Sequence, residues 1–265
     1  MRPTETPSTS DQRRQGLNAL AVLAAFGVNV LANVRPIGGL TLGQISNQLF
    51  GNVLITPADY AFAIWGVIYV GLFGFAIYQA LPSQAAQRPL RRLGYGVVAA
   101  SLAQIGWVFL FQLRFFGGSF LAMLAILLPL ARIYRRLHRE RLTQPQRWFV
   151  RIPLSVYLAW ISVATLVNAA VALVALGWEG GGIAPEVWTA IAMAVAAALA
   201  LIAAWRNRDV AFVGVVMWAL AAITIRHADK PLIAVVGAGL TLALAVATDL
   251  QLRSQKPTDS SAVGR

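Results

Sequence analysis

The chain has 265 residues, of which 58% are hydrophobic and only 12% charged, with a mean hydropathy of +0.66 and a formal net charge of +12. That is too apolar for a soluble domain and reads as a polytopic membrane protein, for which the lipid bilayer is the first partner. With no cysteine in the chain, disulfides, thiolate nucleophiles and Cys-ligated metal or iron–sulfur centres are excluded.

Residues 1–16 are polar, with Pro, Thr and Ser, and are expected to form a disordered cytoplasmic tail. Arg13-Arg14 ahead of an apolar run imitates a twin-arginine export signal. The run 17–34 is long for a signal core, however, and no clear small-residue cleavage pattern follows, so it is read as a retained first helix. Further apolar runs follow at 60–81, 93–113, 116–134, 152–176, 187–205, 210–225 and 232–250, which makes eight spans, the run from Val210 being the shortest. Residues 252–265 are expected to be a second disordered cytoplasmic tail. The expected fold is all-α: a polytopic transmembrane helix bundle with a five-helix core (17–176) and a three-helix C-terminal extension (177–251).

Eight spans put both termini on one side. Of the 22 Lys and Arg residues, all but Arg35, Arg114, Arg226 and Lys230 fall on that same side. The positive-inside rule therefore predicts a cell-membrane protein with both termini in the cytoplasm. The Arg-rich stretch 132–151 sets topology and can touch anionic headgroups. No aromatic-interleaved single-strand platform accompanies it, so no nucleic-acid partner is expected.

Most connections are short. The exception is 35–56, which carries Gly38, Gly39, Gly43, Asn47, Gly51 and Asn52 and leads to Pro57. A connection of this length either folds over the outer mouth as a lid or is a plain connector. The loop 177–186 is Gly-rich and acidic; Glu179 and Glu186 without a histidine are a weak cation signal.

Residues 57–78 carry Phe62, Trp65, Tyr69 and Phe73 at spacings of three, four and four, within an arc of about 80° at 100° per residue. Such a strip either packs against neighbouring helices or lines a slot for a flat apolar ligand. The third span repeats the spacing with Gln104, Trp107 and Phe111, and the fifth with Tyr157, Trp160, Ala164 and Asn168. Converging faces would enclose an aromatic pocket with Gln104 and Asn168 as polar handles; the alternative for both amides is interhelical hydrogen bonding. For Asn29 and Asn33 in the first span, interhelical bonding is the preferred reading. Run directions place Trp65 near the outer surface with Trp107 beside it and Asn168 at its level, and Trp160 below them as a floor.

The string Pro57-Ala-Asp-Tyr60-Ala-Phe62-Ala-Ile-Trp65-Gly-Val-Ile-Tyr69 resembles the second-helix signature of the translocator protein family, also called tryptophan-rich sensory proteins or peripheral-type benzodiazepine receptors. Tyr157-Leu-Ala-Trp160-Ile-Ser162-Val-Ala164-Thr165-Leu-Val-Asn168 resembles its fifth-helix motif, and Gln104, Trp107 and Phe111 echo the third helix. The resemblance covers 17–176. It departs at Tyr60, where Trp is usual, at Gln104, where Asn is usual, in a missing second Pro before the second span, and in three added spans. It implies a pocket for porphyrins and other flat apolar molecules, walled by Phe62, Trp65, Tyr69, Gln104, Trp107, Phe111, Tyr157, Trp160 and Asn168, with 35–56 as lid. It also implies a homodimer.

The resulting reading is a binding or sensory membrane protein with a flat apolar ligand such as a porphyrin and no required cofactor; the alternative is a transporter of tetrapyrroles or other small apolar molecules. No span carries a convincing mid-membrane charge for ion coupling. His138 and His227 fall outside the spans, so neither a catalytic site nor a metal site is expected and the chain is read as non-enzymatic. Lys230 and Lys256 lie outside the spans, which excludes a buried retinal Schiff base. The last three spans, rich in Ala and Val, are expected to pack on the core without forming a second site.

Overall fold

The computed structural model describes residues 6–254, and every regular element among them is helical. Eight long helices carry the fold: α1 (Thr9–Val34), α2 (Ile64–Ala80), α3 (Gly96–Gln112), α4 (Phe116–Leu137), α5 (Ile152–Ala175), α6 (Pro185–Asn207), α7 (Val210–Arg226) and α8 (Pro231–Arg253). Six of the helical stretches are long and apolar enough to cross a membrane; α3 and α7 are apolar but shorter, at 17 residues each. At 1.5 Å per residue those two rise about 25 Å, the lower limit for a span.

Local chemistry marks the helix ends. Ser8 and Asp11 form a reciprocal capping box at the start of α1. Pro185 and Pro231 open α6 and α8, where a missing N–H costs nothing. Arg208 closes α6 in a left-handed conformation (φ 52°), and the Asp209 carboxylate then accepts the Phe212 N–H at 3.1 Å to start α7.

The helix at Thr9 corrects the expected tail over 1–16, because the stretch from Thr9 onward is ordered and packed. Asp11 is buried and takes Arg91 at 2.6 Å and Arg14 at 3.0 Å. Gln15 and Gln79 exchange side-chain to backbone hydrogen bonds between α1 and α2. A buried carboxylate with two guanidinium partners holds this end of the helix to the short helix Arg88–Leu93. Leu252 and Arg253 likewise belong to α8 rather than to the second tail. Residues 1–5 and 255–265 of the two expected tails lie outside the described residues.

Helix neighbours follow a ring. α1 touches α2 and α3, α2 touches α5, α5 touches α4, and α4 returns to α3, so the first five long helices close on themselves. α6, α7 and α8 pack mutually and join the ring mainly through α7 against α5. α8 is outermost: 17% of its apolar window is buried, against 44% for the stretch that contains α5. Small residues permit the closest approaches. At Gly237 an added Cβ would stand 1.9 Å from Thr224 Oγ1 and 2.7 Å from Met193 Cε, so only glycine lets α8 meet α7 and α6 there.

Helix alternation gathers the Arg-rich connections at one end, here the basic end, and leaves 35–58, 113–115, 176–184 and 227–230 at the other, the distal end. At the basic end Asp209 ties the last three helices to the ring. It accepts a hydrogen bond from Ser155 Oγ at 2.5 Å and faces His138 Nε2 at 3.7 Å. Asn207 Nδ2 donates to the Tyr134 hydroxyl at 3.1 Å. His138, expected in a loop, is thus packed into this junction, and burial drives its pKa down against the opposing pull of Asp209.

Candidate ligand site

α2, led in by a 3-10 turn over Asp59–Ala63, runs antiparallel to α5 in a register that pairs Phe62 of that turn with Trp160 (centroids 6.2 Å apart, edge to face) and Trp65 with Tyr157 (6.2 Å). Further along, Gly71 lies against Pro153, where a Cβ would approach to 3.1 Å. Trp160 therefore stands about one turn nearer the distal end than Trp65, not beneath it. The expected floor was read from run direction alone, which does not contain the offset between two helices; the register supplies that offset.

The real floor is a buried polar chain. The Tyr157 hydroxyl donates to Gln104 Oε1, Gln104 Nε2 donates to the Tyr69 hydroxyl at 2.5 Å, and that hydroxyl donates to the Ala25 carbonyl at 3.3 Å. This links α5, α3, α2 and α1. Tyr69, Gln104 and Tyr157 thus sit together below the cavity and do not line it. The amide at Gln104 is occupied on both sides by interhelical bonds.

The other six predicted residues converge. Phe62, Trp65, Trp107, Phe111, Trp160 and Asn168 line one slot of about 40 Å³, roofed by Leu42 and Ser46. Trp107 Nε1 donates to Asn168 Oδ1 at 2.9 Å, Asn168 Nδ2 donates to the Ala164 carbonyl at 2.9 Å, and Trp107 stacks on Phe111 at 5.4 Å. The Trp107 indole is thereby held with its face, rather than its N–H, available to the slot.

The slot shares Leu42, Phe62, Trp65 and Trp107 with a wider vestibule of about 440 Å³. Its remaining wall is polar: Asn29 and Asn33 of α1, Thr41 and Gln44 of the loop, and Asp59. Asn33 Nδ2 donates to the Asn29 carbonyl at 2.8 Å, but Asn29 Nδ2 is buried on this wall with no hydrogen-bond partner. An unmatched buried donor is costly unless something else bonds it. Sequence reasoning assigned both asparagines to helix contacts; their one-turn spacing on a single face was the available sign of a lining role.

The segment 35–56 folds as a lid rather than a plain connector. Gly38 and Gly39 take φ of 76° and 82°, a reversal open to glycine, and Ile37 N–H then meets Gln112 Oε1 at 3.4 Å. Thr41 and Gln44 form a capping box that sets the turn over the vestibule, and Leu42, Ile45, Ser46 and Phe50 are buried beneath it. α7 pins the lid. Arg226 donates to Asn47 and to the Pro57 carbonyl (3.0 Å), Asn47 donates to Asp59, and Trp218 Nε1 donates to the Ala61 carbonyl at 3.2 Å.

The family model described as TSPO-like protein matches residues 15–249. The chain belongs to the TSPO-like protein family. The family match runs into α8, past the five spans that carried the resemblance in sequence, so the helices that pin the lid fall within it. As a TSPO-like protein with six helices long and apolar enough to cross a membrane, the chain is a multi-pass membrane protein. No curated protein and no solved structure matches it.

Proposed function

We propose that this TSPO-like protein binds a flat apolar ligand with a polar edge, such as a porphyrin, at the vestibule and slot. The observation that carries the reading is the mixed lining of the vestibule. Trp65 and Trp107 offer aromatic faces, while Asn29 of the same cavity offers a buried, unpartnered amide donor for an acceptor such as a carboxylate on the ligand's rim. The vestibule volume falls in the range of ligand pockets, about 300–1,000 Å³, whereas the slot holds little more than a water, at about 30 Å³ each. The ring is therefore received in the vestibule, and deeper seating requires the Leu42–Ser46 roof to lift.

The test is titration of the full chain in detergent with protoporphyrin IX. Trp65→Leu is expected to weaken binding by about 1–3 kcal/mol, the scale of a large buried aromatic contact. Asn29→Leu should weaken it while leaving a porphyrin without carboxylates unaffected. Unchanged affinity in both Trp65→Leu and Trp107→Leu would show that these aromatics only pack. The basic residues support a cytoplasmic basic end; reporter fusions after Leu81 and Arg206 should read as cytoplasmic, and one after Gly182 as external.

A further inference from the structure

A second cavity, of about 370 Å³, opens at the distal end between α5, α6 and the last part of the lid. It was not expected from sequence, where the last three spans read as packing alone. Its inner wall is apolar, with Ile55, Val174 and Ala192, and its mouth carries Trp178, Trp188 and Glu179. The two indoles meet edge to face with centroids 5.2 Å apart. Trp188 Nε1 donates to the Gly180 carbonyl at 3.0 Å, so its N–H is already satisfied and it presents its ring.

The charge at this mouth has one sign. Glu186, the neighbouring carboxylate, is taken by Lys230 at 2.9 Å. Glu179 pairs with no side chain among the described residues, and no Lys, Arg or His lines the cavity. Aromatic faces and a carboxylate both attract cations, and an apolar chamber behind them rewards an apolar body. A bare metal ion is a poor match, because one carboxylate supplies too few oxygen ligands and no cluster of three or more metal-binding side chains occurs among the described residues.

We propose that this cavity binds an organic cation with apolar substituents. Its charge is held among Trp178, Trp188 and Glu179, and its body lies against Val174 and Ala192. The site is separate from the vestibule and does not depend on what the vestibule binds.

The test uses the full chain in detergent, equilibrium dialysis, and two probes of one shape: benzyltrimethylammonium and its uncharged carbon isostere neopentylbenzene, each against protein-free micelles. The cation is expected to bind at least about tenfold tighter than the isostere. Glu179→Gln, a change at an exposed position, should weaken the cation by about three- to fivefold and leave the isostere unchanged. Trp178→Leu should weaken the cation by about tenfold. Equal affinity for both probes would mark a lipid-tail crevice and overturn the proposal. So would cation binding that is unchanged in both Glu179→Gln and Trp178→Leu.

Discussion

Gln104→Leu separates a structural amide from a ligand handle. The side chain is 1% exposed and bridges two tyrosine hydroxyls from different helices. Leucine fills a similar volume, so little of the effect comes from packing. The Tyr69 hydroxyl keeps the Ala25 carbonyl, but the Tyr157 hydroxyl, also 1% exposed, loses its acceptor. An unsatisfied buried hydroxyl costs about 1–3 kcal/mol and the lost bond to Tyr69 about 1 kcal/mol, giving about 2–4 kcal/mol in all. Adding Tyr157→Phe removes the stranded hydroxyl, and the double variant should recover about 1–2 kcal/mol relative to Gln104→Leu alone. Thermal unfolding in detergent measures both steps, with protoporphyrin IX titration on the same samples. The expected pattern is lower stability and nearly unchanged affinity. Gln104→Leu with wild-type stability and lost affinity would refute the reasoning, as would a double variant no more stable than the single.

Arg226→Met removes the bonds to Asn47 and the Pro57 carbonyl, so hydrogen exchange over 45–57 should speed up by about tenfold, for a loss of about 1–2 kcal/mol in a part-buried charged contact; unchanged exchange would show that the lid needs no pin. Gly237→Ala should destabilise by about 1–3 kcal/mol, since its Cβ must displace Thr224 or Met193, and a neutral melt would mean that α8 yields freely. For pH, both histidines are shifted down from 6.5, His138 by burial and His227 by burial and then Arg226. The unfolded chain then binds more protons just below that value. Stability should therefore fall as pH drops through about 6.5 toward the folded pKa values, and His138→Gln should flatten part of that slope. An identical slope in that variant would rule His138 out.

Much of this architecture is legible in sequence, because a span must be apolar for about 20 residues whatever it packs against. The eight apolar runs are the eight helices, and the shared spacing around Trp65, Trp107 and Trp160 does bring those indoles to one slot. What a buried amide bonds to is a different matter. Gln104 and Asn29 look alike in sequence, yet one is tied to two tyrosines and the other is unmatched on a wall, since partners depend on helix rotation and offset. The early start of α1 was readable at Ser8 and Asp11, a capping pair three residues apart, but the polar composition around it suggested a tail. The cavity beside Trp178 depends on how α6 leaves α5, which no periodicity in either helix encodes.

The bonds from Arg226 to Asn47 and from Trp218 to Ala61 join positions separated by 179 and 157 residues. A ribosome therefore delivers the lid long before it delivers what fastens it. During synthesis the ring of five helices can insert and close while its distal loop is still loose, and fastening waits for the hairpin of α6 and α7 to enter the bilayer. Nascent chains arrested before α7 should expose 45–57 to protease, and chains arrested beyond α8 should protect it. The finished vestibule is in this sense a late product of translation, and a premature stop between α5 and α7 would yield an inserted bundle with an unfastened door.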